Sequence, residues 1–178
     1  MPTEIRGQFV TLACSLLETK PEVKAEAVNV VNKLTGMSYD KLDPMGWYPV
    51  TAFSGVFESL TQKTSTILAR AAMKTIGKKV YPTIKAHGGI PAGTDTPLAF
   101  LKFEAQGFLN AFRGPGVVPR KIVKEAPKDF VVQADMPSGI PPELMEGVYL
   151  GILEMCGLKG GVRVEESGGH YVYHVTWS

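Results

Sequence analysis

Apolar residues recur at helical spacing through most of positions 1–113 and give way to alternation near the C-terminus. Ile5, Phe9, Leu12, Ala13, Leu16 and Leu17 share one helical face behind Thr3, which predicts a capped helix from there to about Glu18. Pro21 suits the first turn of a second helix, with Val23, Val28, Val31 and Leu34 inward and Gly36 as its stop. Residues 37–48 read as a connector. Val50, Phe53, Val56, Phe57 and Leu60 predict a helix over 49–60, and Ile67, Leu68, Ala71, Ala72, Ile76 and Val80 predict another over 65–80. Tyr81-Pro82 is expected to end or kink it, because proline disfavours helical geometry in the residue before it.

His87-Gly88-Gly89 opens a turned loop, after which Thr96-Pro97 is a strong helix start. That helix is rich in Leu and Phe. Gly114-Pro115-Gly116 is the sharpest break in the chain and the candidate boundary between two lobes. Beyond it, 117–126 and 129–134 read as paired strands, and Pro141-Pro142-Glu143 starts a helix that Gly157 caps. Residues 161–166 and 170–177 alternate as half-buried strands around a Ser167-Gly168-Gly169 turn. The expected fold class is α+β. Residues 1–178 form a single domain, with a helical lobe over 1–113 packed on a small antiparallel sheet lobe over 117–178.

Composition narrows the function classes. The chain has 178 residues, 44% hydrophobic and 20% charged, with Lys+Arg 19 against Asp+Glu 17. That balance offers no electrostatic footprint for nucleic acid or an anionic membrane. No apolar run reaches the ~20 residues of a membrane span, and no leader pattern opens the sequence. Cys14 and Cys156 stand far apart, so a disulfide scaffold or Cys-rich zinc site is not expected, and a cytoplasmic location is.

Candidate chemistry is sparse. Walker, dinucleotide-binding, HExxH and GxSxG patterns are absent from the sequence. His170 and His174 sit four apart on a strand, about 13 Å from each other, which suits two exposed side chains better than one metal. His87 follows a helix and precedes two glycines. It is read either as an axial haem ligand or pocket anchor, or as a solvent-facing histidine favoured by the helix dipole. Glu104, between Phe103 and Phe108, is either a perturbed carboxylate or a member of the solvent stripe. Cys156 and Cys14 are read as buried small hydrophobes, and Lys74, Lys78, Lys79 and Lys85 as a solvated helix face.

Aromatic bulk stands out. Phe53, Phe57, Phe100, Phe103, Phe108 and Phe112 supply more ring volume than short helices need for pairing. They are read as plain core or as walls of an apolar cavity between the lobes, where ligand pockets tend to form.

The runs 108–114, 129–132, 147–154, 161–165 and 171–177, with the glycine-bearing segment 71–81, carry a resemblance across about two-thirds of the chain. It is similar to an uncharacterised protein family abundant in myxobacteria. That family lies within the superfamily of haem-nitric-oxide/oxygen-binding (H-NOX) domains, 4-vinyl-reductase-type sensor domains and TRAPP subunits. The resemblance implies a helical lobe on an antiparallel sheet, a homodimer, and an internal site for a small apolar or planar ligand. It implies sensing rather than catalysis. Haem-binding members hold the propionates with Tyr-x-Ser-x-Arg, whereas residues 133–139 here read Gln-Ala-Asp-Met-Pro-Ser-Gly. Neither that motif nor a cysteine-rich zinc motif carries over, so the cofactor stays open, with haem admitted only through His87.

The expectation is therefore a non-enzymatic small-molecule sensor. Phe53, Phe57, Phe100, Phe103, Phe108 and Phe112 are its expected pocket walls, and His87 or Glu104 its polar contact. The alternatives are a haem-binding gas sensor using His87 and a protein-interaction scaffold.

Overall fold

Thr96 and Pro97 open a helix as the sequence predicts: the Thr96 hydroxyl accepts from the Ala99 amide, and Pro97 occupies the first turn. This is helix α5 (Pro97–Ala111) of a computed structural model that describes residues 2–18 and 20–178. The chain runs β1 (Glu4–Arg6), α1 (Gly7–Ser15), α2 (Pro21–Thr35), a 3-10 turn (Tyr39–Lys41), β2 (Trp47–Pro49), α3 (Val50–Lys63) and α4 (Thr66–Ala86) into α5. After α5 come β3 (Phe112–Arg113), β4 (Lys121–Ala126), β5 (Asp129–Ala134), α6 (Pro142–Met155), β6 (Gly160–Ser167) and β7 (His170–Trp177). The α+β class expected from the sequence is the one observed.

Two local expectations give way to tertiary structure. Thr3 caps no helix. Residues 4–6 form a strand that pairs with both β2 and β3, and the Thr3 hydroxyl donates to the Pro115 carbonyl at 2.7 Å. Long-range pairing here outweighs the local capping signal, and α1 starts at Gly7. A Cβ on Gly7 would stand 2.3 Å from the Asp43 carbonyl oxygen. Arg6 and Arg113 flank Trp47 on this small sheet, their guanidinium carbons 3.8 and 4.4 Å from its ring centroid.

Nor does Tyr81-Pro82 break the helix, which continues to Ala86 with Pro82 inside it. The lost amide donor and the crowding at Pro82 are outweighed by the packing of α4 along α6. Gly77, Gly147 and Gly151 let the two backbones meet. A Cβ on them would lie 2.0 Å from Leu144 O, 2.1 Å from Lys74 O and 2.3 Å from Lys78 O. Lys74 and Lys78, expected merely to be solvated, reach across this seam to Glu146 and Glu154 at 2.6 and 2.5 Å.

The larger sheet has the antiparallel order β4-β5-β7-β6. Its inner face buries Phe130, Val132, Ala134, Tyr173, Val175 and Trp177 beneath α5 and α6. His170 and His174 do share the outer face but are half-buried, not exposed. His170 bonds Asp135, and His174 Nε2 stands 3.4 Å from the Glu165 carboxylate.

Buried side chains form two clusters. One gathers α1, α2, α3 and the first half of α4, with Phe108, Phe112 and Leu144. The other lies under the sheet and takes Tyr81, Phe100, Leu101 and Ala105 from the helices before residue 113. α4 and α5 thus serve both. Among the described residues no helix is long and apolar enough to cross a membrane.

Candidate functional site

A cavity of about 810 Å³ lies where the two clusters meet. Ile5, Phe9, Phe53 and Phe112 wall one side, and Val80, Tyr81, Phe103, Met145 and Val148 the other. The pairing of Ile5 with Phe112 between β1 and β3 fixes two of these walls at once.

The expected pocket residues divide. Phe53, Phe103, Phe108, Phe112, His87 and Glu104 line the cavity, whereas Phe57 and Phe100 do not. Phe57 stands edge-on to Phe53 (centroids 4.9 Å, interplanar 84°) within the helical core, and Phe100 packs beneath the sheet. His87 closes the C-terminal end of α4 and is exposed at the cavity rim.

Glu104 is not on a solvent stripe. The buried positions of α5 are Phe100, Leu101, Glu104, Ala105 and Phe108, one continuous helical face with the carboxylate at its middle. Its partner is Arg120, one residue before β4, whose side chain has no exposed surface. Arg120 Nε donates to Glu104 Oε1 at 2.8 Å, the Tyr149 hydroxyl donates to Oε2 at 3.0 Å, and the guanidinium carbon lies 3.9 Å from the Phe108 ring centroid. Nη1 and Nη2 point at Met136 Sδ (3.6 Å) and Met145 Sδ (3.3 Å). Arg120, Tyr149, Met136 and Met145 escaped sequence reading, because nothing local ties a loop arginine to a helix carboxylate sixteen residues earlier.

Burial opposes the Arg120 charge, but the Glu104 carboxylate, with help from the Tyr149 and Tyr173 oxygens, leaves its pKa raised, so the cation persists. Burial, then Glu104, pushes the Tyr149 and Tyr81 phenols well above their ordinary range. Tyr173 is raised chiefly by burial, and the Cys14 thiol goes up to about 12 for the same reason. Cys156, read as buried, is half-buried at the end of α6, and its thiol too is raised by burial.

These acids hold protons that the unfolded chain sheds. Their stabilising contribution is complete below the unfolded values of roughly 8.5 for thiol and 10 for phenol, and it is lost as pH rises from there toward the folded values. Unfolding followed by circular dichroism is expected to show stability falling from about pH 9 upward. Phenolate absorbance of the buried tyrosines should appear only with unfolding. Ionisation of all six tyrosines in the folded protein would contradict this placement.

No family model and no curated protein matches the chain. Solved structures do. An H-NOX protein from S. oneidensis in its Fe(II)NO ligation state superposes with a TM-score of 0.74 at 8% identity, covering 98% of this chain and 99% of that one. The Fe(II) unliganded H-NOX protein from K. algicida gives 0.72 at 12% identity, over 98% and 97%. An I5F mutant of the T. tengcongensis H-NOX gives 0.65 at 15%, over 98% of each chain. The fold is that of the H-NOX domains. At these identities the likeness extends to architecture and leaves the chemistry of the cavity to its own side chains.

That chemistry decides how well a haem fits. Haem iron is held by His, Cys, Tyr or Met. On the cavity wall these are His87 and the exposed Met45 at the rim, the Tyr81 phenol, and Met136 and Met145, whose sulfurs face Arg120. An interior imidazole is missing from the lining, and the deep polar group is an ion pair. In residues 133–139, Asp135 bonds His170 and Met136 turns to Arg120. The interior donor set does not fit haem iron. Among the described residues, no group of three or more His, Cys, Asp or Glu side chains could hold a metal ion.

Proposed function

We propose that this chain is a non-enzymatic sensing module whose cavity takes a small apolar or planar organic ligand. The observation that supports it is the 810 Å³ space between two cores, inside the roughly 300–1,000 Å³ range of ligand sites, with apolar walls and one buried ion pair. Both clusters contribute walls, so a ligand touching both favours whichever arrangement of the two binds it better, and that differential affinity is the signal. The free Cys14 and Cys156 accord with a reducing cytoplasm.

Native mass spectrometry of the purified protein, followed by a thermal-shift screen of hydrophobic compounds, tests the reading. A ligand at 100 times its Kd adds about 2.7 kcal/mol, which raises Tm by roughly 5–10 °C in a chain of this size. A protein that carries nothing and shifts with no compound is not this sensor.

Haem-based gas sensing is the second reading, and the likeness to iron-containing H-NOX structures supports it more directly than it supports the first. It requires His87 to turn inward from the rim. Its signature is a sharp Soret band on hemin addition that His87→Ala abolishes. Without that band the haem reading fails.

A further inference from the structure

Arg120 has five N–H donors and no exposed side-chain surface, yet Glu104 is its only oxygen partner among the described residues. The Nη1 and Nη2 groups face thioethers, which accept weakly, and they do so on the cavity wall. Buried charged groups normally find strong hydrogen-bond partners, so this guanidinium lacks an oxygen acceptor on the side that Met136 and Met145 cover, between it and the cavity. Resting on the ligand-sensing reading, we propose that the cavity selects neutral, largely apolar carbonyl compounds, the carbonyl oxygen accepting from Arg120 Nη1 and Nη2.

The charge count sets the class. Arg120 and Glu104 already cancel, as do Arg6 and Asp40 elsewhere on the wall, so an anion added beside the buried pair would leave a net negative charge there, whereas a neutral acceptor satisfies donors without one. Val80, Ile84, Phe103, Leu144 and Val148 supply apolar surface for the body of the ligand. Met136 and Met145 have the flexibility to swing off the guanidinium when the oxygen arrives.

Three probes of similar size separate the terms: benzophenone carries the carbonyl, diphenylmethane lacks it, and biphenyl-4-carboxylate replaces it with an anion. Calorimetry on the wild-type chain is expected to give benzophenone the tightest binding, about tenfold tighter than diphenylmethane. Glu104→Gln leaves the arginine charge uncancelled and should make the carboxylate the preferred probe. The paired change Glu104→Leu with Arg120→Met removes the polar group, keeps the volume, and should bring benzophenone and diphenylmethane to equal affinity. Should Glu104→Gln not fold, the paired variant still tests the carbonyl assignment, and the wild-type ranking of benzophenone over the carboxylate tests the neutral class. Equal affinities in the wild type overturn the carbonyl assignment and leave the cavity reading standing. A wild-type preference for the carboxylate overturns the neutral class. Binding of none of the three overturns the carbonyl assignment, and the sensing reading then stands or falls on the thermal-shift screen.

Discussion

Glu104→Ala is expected to cost about 3–5 kcal/mol of stability, measured as a drop in the urea midpoint, because it strands the Arg120 cation in the interior. Arg120→Ala should cost about the same by stranding the carboxylate. Replacing the whole network with hydrophobes of similar volume, as in Glu104→Leu, Arg120→Met, Tyr149→Phe, should return the midpoint close to wild type. Taken together, isolated charges lose far more than a charge pair contributes. The pair therefore adds little net stability, which accords with a binding role. Single variants that each cost less than about 1 kcal/mol would place the ions in contact with water.

Gly77→Ala is expected to be the most damaging one-methyl change in the chain, at about 3 kcal/mol, the upper end for overpacking. Its Cβ would lie 2.0 Å from the Leu144 carbonyl oxygen, 2.9 Å from the Val148 amide and 3.0 Å from Gly147 Cα, and backbone cannot swing aside as a side chain can. Separating α4 from α6 also moves Val80, Tyr81, Met145 and Val148, so ligand affinity should fall with stability. Gly107→Ala on α5 is the control. Its Cβ would meet nothing closer than Phe103 at 4.0 Å, and the change should raise stability by up to about 1 kcal/mol through helix propensity. Equal effects at the two glycines would mean that the α4–α6 seam is not closely packed in solution.

Much of the architecture was legible because it is locally encoded. Thr96-Pro97 starts α5, Gly36 takes a left-handed φ of 71° to end α2, and Ser167-Gly168-Gly169 turns β6 into β7. Failures occurred where distant partners decide the outcome. Thr3 lost its capping role to strand pairing, and Pro82 stayed helical because α6 lies alongside. The same division runs through the site. The aromatic surplus pointed toward a cavity, but ring count could not separate Phe53 from Phe57, which share a helix and differ in the direction they face. Glu104 sits four residues from both Phe100 and Phe108, yet a lone carboxylate in that spacing also suits a solvent stripe, and only the folded chain shows it buried. Arg120 gave no such signal, since only the folded chain brings its loop to α5.

The central claim is that a buried guanidinium at the cavity wall, with spare donors, receives the ligand. Nitrogen-15 NMR of the arginine side chains measures this directly. The account predicts a slowly exchanging Arg120 Nε–H with resolved Nη–H signals, because Glu104, Phe108 and the two methionines shield and hold the group. Those Nη–H signals should move on saturation with benzophenone and stay still with diphenylmethane. A single averaged Arg120 signal exchanging with water at the rate of exposed Arg70, or no response to either probe, would contradict it.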